Sequence, residues 1–457
     1  MSKKLWGGRF KKKIDKDFEE FSKSVQYDYK LAEYDIYHSI IHVSTLAASK
    51  ILTPQEAQKL ISVLSGILKE IRAGKFKYDP ACEDIHSDIQ NRVEKKVGEL
   101  ALKLHSLRSR NDQIVFDEKW YCLDQGIDIG KIVTALGIAV VEKAAKSGKD
   151  FFIGYTHTQR AQIISFSDYL YAWAEIFLKD CKRLNDFCEG LELVIGAGAL
   201  TGTALKKEAY QKAAEQFLRA DKIKKSWSVL NNALFTISDR DFIVEFLSIL
   251  SLIQMHLSRM AEDFILYSTK EFDFFDLPEE FCTGSSLMPH KKNPDFLELV
   301  RGLTGKIYGN LMAILTTMKG LPLTYNRDMQ LDKEPLFSSV ETVKEELKIM
   351  AKFVKGIKLK KENIKEALKD EQLYATEIAE FLVTKKKVAF KEAHDVVGKL
   401  IRYSEDKKKK IEDMDDLVLK TFHPVLKAGD LKKIMTPKYA IDSKKSVSRA
   451  LPKLKKK

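Results

Sequence analysis

The 457-residue sequence is poor in the residues that punctuate a chain. It has 22 glycines and 10 prolines, about 7% of the positions against a typical ~12%, so tight turns are scarce and long uninterrupted helices are favoured. Cysteine is scarce and odd in number, at five. Cys181 and Cys188 stand seven apart on one predicted helix, too far along its axis to bond each other, so all five are expected reduced. No run approaches the 18 or more apolar residues that a membrane span needs, and the start, MSKKLWGGRF, lacks an apolar stretch of signal-peptide length. A cytoplasmic protein with no membrane partner is the expectation.

What is present is a 44% hydrophobic chain with a net charge of +13. A length near three times ~150 residues suggests about three domains with room for a large core. The lysine runs at 385–387, 407–410 and 455–457 lie beside acidic residues or at the chain end, which favours a solvated basic surface over a nucleic-acid site. Part of the excess can draw in an anionic small molecule.

Apolar residues recur at three and four. Between Asp239 and Asp276 there is neither glycine nor proline, and Phe242, Phe246, Ile249, Ile253, Leu257, Met260 and Phe264 form one stripe. Gln159 to Glu189 reads as a second such helix, over 40 Å long at about 1.5 Å per residue, and two more follow Asn111 and Pro294. Shorter helices are expected at Pro54–Arg72 and Cys82–Lys96. The reading is mainly α, with an N-terminal helical domain (1–111), a central long-helix bundle (112–360) and a small C-terminal helical domain with a basic tail (361–457). Apolar faces this wide imply helix packing between chains, hence a homo-oligomer.

Three polar clusters stand ahead of predicted long helices. In Thr283 to Asp295, TGSSLMPHKKNPD, Asn293 and Pro294 read as N-cap and first helical residue, offering free N–H groups to an anion beside Lys291. In SLRSRNDQ (106–113), Arg108 and Arg110 precede the capping pair Asn111 and Asp112, and guanidinium forks suit carboxylates. In GYTHTQRAQ (154–162), Thr156 and His157 are expected at the mouth of a helix. Gly196, Gly198 and Gly202 imitate a dinucleotide fingerprint with the wrong spacing, and read as a turn between helices. Asp84, His86 and Asp88 alternate like metal ligands but diverge around a helix surface, so no metal is assigned.

KLWGGRF (4–10), SLRSRNDQ, YTHTQRAQ, SDRDF (238–242), GSSLMPHKKNPD and TYNRDMQLDKE (324–334) occur in order and spacing that resemble the argininosuccinate lyase family of the fumarase/aspartase superfamily. LYATEIAEFLV and FKEAH, further on, resemble its C-terminal domain. The resemblance implies a mainly helical homotetramer, each active site assembled from three chains, that cleaves argininosuccinate to arginine and fumarate without a cofactor, as the last step of arginine biosynthesis. It implies Ser285 as catalytic base and His157, paired with Glu298, as proton donor or its relay. Lys291 and Asn293 would hold the substrate carboxylate, and Ser24, Arg110, Asn111, Thr156, Tyr325, Gln330 and Lys333 would be substrate contacts. Its EDIH segment would bring His86 towards the site. Leu107 stands where the family usually has Gly or Ala, Phe235 where it has Asp, Ile163 where it has Pro, and His290 where it has Gln. His290 is shared with adenylosuccinate lyases, a second enzymatic reading, and a non-catalytic crystallin-like relative is a third.

Overall fold

The computed structural model describes residues 12–148, 150–220 and 232–446. The WGGRF segment and the terminal LPKLKKK lie outside the described residues. The described chain is predominantly helical and falls into two compact units. The first comprises residues up to Lys131, Cys181–Gln254 and Leu303–Lys344; the second comprises Ile132–Asp180, Met255–Gly302 and Glu345 onward. The long helices Arg110–Ser147, Phe166–Gly190, Asp241–Ser268, Asp295–Met318 and Lys333–Gly356 each contribute residues to both.

In the first unit, helix Pro54–Arg72 starts where the sequence dictates. The Thr53 hydroxyl accepts from the Glu56 N–H at 3.2 Å, the Glu56 carboxylate accepts from the Thr53 N–H at 2.9 Å, and Pro54 takes the first turn. Its apolar face, Leu60, Leu64 and Ile67, is sealed where it packs along Ala32–Ala48. The turn through Gly196, Gly198 and Gly202 has φ of 94°, 60° and 80°, and a Cβ on Gly198 would lie 2.5 Å from the Gly202 carbonyl oxygen. These glycines close a turn between helices, as expected.

The second unit has an aromatic centre. Phe152 stacks on Phe275 with centroids 5.6 Å apart, and Phe166, Tyr267 and Phe274 pack around the same ring. A separate apolar cluster, with Ile378, Leu382, Val396, Leu400 and Leu431 at its heart, joins the helices after residue 375. None of the five cysteines is in a disulfide.

One expectation fails here. Gln159 does not begin a helix: Phe151–Thr156 and Gln159–Ser165 pair as an antiparallel hairpin, and the helix starts only at Phe166, where the Ser165 hydroxyl accepts from the Asp168 N–H at 3.0 Å. The β-branched run Ile163–Ile164 suits a pleated strand better than a helix. Ile163 pairs with Ile153 inside this ladder and is buried. Helix Asp241–Ser268 is long and, in mean hydropathy, apolar enough to cross a membrane, though polar residues interrupt its apolar run as the sequence reading has it. Most of its apolar residues lie inside the protein, with Phe246, Leu250, Ile253, Leu257 and Phe264 fully buried, as in a core helix.

Candidate active site

The first unit gathers Ser24, Arg110 and Gln330 around one short segment, Glu83–Ser87. The Ser24 N–H donates to the Glu83 carbonyl at 2.8 Å, and its hydroxyl donates to Asp28 at 2.6 Å. Asp28 in turn accepts the N–H of Ile85 at 3.0 Å. Asp84 caps helix Ile85–Val97 by accepting from the Ser87 N–H at 2.7 Å, and its other oxygen lies 3.2 Å from Arg110 Nε. Arg110 also donates to Gln113 at 3.2 Å. Gln330 donates to the Ser22 carbonyl at 3.0 Å, and Arg327 bridges that carbonyl and Glu83. Burial raises the Tyr27 phenol, which is bonded to Gln330 and lies in the field of Lys333.

Helix Arg110–Ser147 begins two residues earlier than expected, where the Ser109 hydroxyl takes the Asn111 N–H at 3.2 Å. Asp112 is therefore no cap. Its buried carboxylate accepts from the N–H groups of Gly196 and Ala197 at 3.1 and 3.3 Å, and burial lifts its pKa to about 6. The Asn111 amide donates to the Ala199 carbonyl at 3.4 Å, on the same turn. Leu107 has φ of 59°, a left-handed conformation that favours glycine, which gives a physical reason for the small residue usual there.

His86 is not on a helix surface. It is 2% exposed, with Nδ1 3.0 Å from Asp35 and 3.6 Å from Asp117, and Asp35 also accepts from Gln113 at 2.7 Å. Three possible ligand atoms lie within 4.8 Å of one another here. The buried Arg108 guanidinium already acts on both carboxylates, supplying the positive charge that a cation would bring. Burial opposes the Asp35 charge, but His86 and Arg108 hold this carboxyl below the usual range.

Lys333 is 2% exposed, with its ammonium 2.8 Å from Glu118 and 2.9 Å from Asp332. Tyr325 is half-buried, and burial raises its phenol.

The second unit carries Thr156, His157, Ser285, Lys291, Asn293 and Glu298 in a different manner. His157 and Thr158 form the two-residue tip of the hairpin, with φ of 54° and 57°, so the imidazole rides on a β-turn rather than at a helix mouth. Thr156 and His157 are exposed. The Ser285 loop is pinched by a bridge between Thr283 and Asn293, with N–H···O distances of 3.1 and 2.7 Å. Asn293 is thus a bridge residue, not an N-cap, and helix Asp295–Met318 begins after Pro294. The Asn293 amide donates to the Gly284 carbonyl at 3.4 Å. The Ser285 Oγ accepts from the N–H groups of Leu287 and Met288 at 3.3 and 3.0 Å. Such donors favour a negatively charged oxygen. Lys291 and Glu298 are exposed, and among the described residues no ion pair joins His157 to Glu298 within one chain.

Sequence reasoning missed the buried partners Asp28 and Glu118, and noted Asp84 only as an apparent metal ligand. The SDRDF motif marked Arg240 without indicating burial. A cleft of about 360 Å³ in the second unit, lined by Lys143, Lys146, Lys355, Lys358 and Lys361, contains no candidate residue.

Residues 8–309 match the family model described as Lyase, and residues 372–442 match Argininosuccinate lyase C-terminal. Curated relatives include the argininosuccinate lyase of Caldanaerobacter subterraneus, 41% identical over 96% of this chain and 99% of that protein. That of Aquifex aeolicus is 42% identical over 97% and 94%. Among solved structures, an EDDS lyase in complex with formate is similar at TM-score 0.78, with 23% identity over 93% of this chain and 85% of that one. A class II fumarase from Schistosoma mansoni gives 0.74, with 16% identity over 92% and 93%. These two support the fold alone.

Proposed function

The chain belongs to the argininosuccinate lyase family, carbon–nitrogen lyases that cleave argininosuccinate to arginine and fumarate, and from that premise we propose how its residues divide the work. Ser285 removes the proton alpha to a substrate carboxylate, which becomes a dianionic aci-form. Lys291, Asn293 and the start of helix Asp295–Met318 face the developing charge. His157, tuned by Glu298, protonates the departing guanidino nitrogen. Ser24, Arg110, Asn111, Thr156, Tyr325, Gln330 and Lys333 hold the substrate.

The observation that carries the chemical assignment is the pair of backbone N–H donors on Ser285 Oγ. A serine hydroxyl is a poor base unless its oxyanion is stabilised, and the loop supplies fixed donors at the required atom. Two proton transfers at ~10² to 10⁴ each, with a donor set worth ~3 to 4 kcal/mol, reach the ordinary enzymatic range. The neighbouring carboxylate accepts the carbanion charge, so the elimination needs no metal or organic electron sink.

The enzyme acts as a cytoplasmic homotetramer whose sites take His157 and Ser285 from different chains. The exposure of His157 supports this reading, and so does a bare face on helix Asp295–Met318. There Gly302, Gly305 and Gly309 recur at three and four residues with nothing within 4 Å of a Cβ, and Met312 is 61% exposed. The match to the argininosuccinate-specific C-terminal model favours this substrate over adenylosuccinate. Purified protein given argininosuccinate should release fumarate, followed by its ultraviolet absorbance; activity on adenylosuccinate alone would overturn the assignment.

A further inference from the structure

Four fully buried charges close into a ring in the first unit. Glu118 places Oε1 2.8 Å from Lys333 Nζ and Oε2 3.3 Å from Arg240 Nε; Asp332 places Oδ1 2.9 Å from Lys333 Nζ and Oδ2 2.6 Å from Arg240 Nε. Each carboxylate is therefore divided, one oxygen to the lysine and one to the arginine. None of the four side chains exceeds 2% exposure. One residue along, Lys119 pairs with Asp239 at 2.7 Å, so two consecutive residues of helix Arg110–Ser147 clamp two consecutive residues of the SDRDF motif.

We propose that Arg240 is a positioning residue for substrate binding: by taking one oxygen of each carboxylate, it leaves the Lys333 ammonium with a positive field for the substrate and fixes the turn that carries Gln330. This rests on the reading of Lys333 as a substrate contact. The charge arithmetic makes the role specific. The ring of two carboxylates and two cations is neutral. Without Arg240 both carboxylates fall on Lys333 alone, the cluster becomes net negative, and an anionic substrate is repelled where it should be held. Asp332 ends the 3-10 turn Arg327–Asp332, so releasing its second oxygen also frees Gln330 from its register.

The test is a charge-balance cycle read in KM and kcat on the intact tetramer. Arg240→Met should raise KM for argininosuccinate at least about ten-fold with kcat within about three-fold. Adding Glu118→Gln to it restores a neutral cluster and should bring KM back most of the way, a rescue that a purely structural role for Arg240 would not give. A wild-type KM in Arg240→Met, or no rescue in the double variant, overturns the proposal. Should Arg240→Met fail to fold, Glu118→Gln alone, which leaves the cluster net positive, should lower KM below that of the wild type; an unchanged or higher KM overturns it. Lys333→Met separates the two levels. Wild-type KM there removes the contact reading and the proposal with it, whereas an impaired Lys333→Met beside an unimpaired Arg240→Met removes the positioning role alone.

Discussion

The two units differ in how they hold their candidate residues. In the first, Ser24, Arg110, Gln330 and Lys333 are tied by their own chain to Glu83, Asp84, Ser22, Asp28, Glu118 and Asp332, and several are buried before any ligand arrives. In the second, His157, Lys291 and Glu298 are exposed, and Ser285 is held by its own loop. Groups that fix a substrate gain from rigidity within one chain. The groups proposed to move protons sit on a hairpin tip and a loop of the second unit.

The sharpest way to break this contrast is at Ser285 and His157. Ser285→Ala and His157→Asn should each lower kcat by about 10² to 10⁴, with helical circular dichroism unchanged because His157 is exposed on a hairpin tip and the Ser285 bonds lie within its own loop. Turnover like the wild type in both would remove them from the chemistry. If the two act from different chains, mixing and reassembling the two inactive variants should restore part of the activity; no recovery would place them in one subunit's site.

Changes in the buried unit should mix stability with affinity. Asp84→Ala removes the cap of helix Ile85–Val97 and the partner of Arg110. It should cost about 1 kcal/mol and raise KM a few-fold, in contrast to Ser285 and His157.

Acid should likewise act on the first unit. Burial, with the Arg108 charge, lowers the His42 pKa to about 3 against about 6.5 unfolded. As pH falls below 6.5 the unfolded chain takes up a proton that the folded chain refuses, so stability is lost towards pH 3. Between pH 7.5 and 5 this amounts to about 2 kcal/mol. His42→Gln should flatten the decline by that much in melts at the two pH values, and parallel curves would contradict it. The smallest effect concerns Leu107. Leu107→Gly relieves a left-handed residue and should gain up to about 1 kcal/mol, measured as a rise in melting temperature; a loss would show that the leucine side chain contributes packing.

Much of this was legible in the sequence because it depends on local patterns. The helix from Pro54 to Arg72, the stripe from Phe242 to Phe264 and the Ser285 loop ahead of a helix all follow from apolar spacing and from the prolines that punctuate it. The hairpin did not follow. Its tip, His157-Thr158, lacks the Asn-Gly chemistry that announces such a turn, and helical spacing downstream of Phe166 masked the strand before it. The ring around Lys333 was also invisible. It joins residues 118, 240 and 332–333, distant in sequence, and no periodicity says that a lysine will be sealed between carboxylates.

The hairpin tip has a consequence for anyone redesigning the enzyme. Two consecutive non-glycine residues there hold positive φ, where an Asn-Gly pair would fit with less strain. An optimiser scoring thermal robustness would choose that exchange and discard the imidazole assigned to the leaving group. At this corner, durability and turnover call for different amino acids.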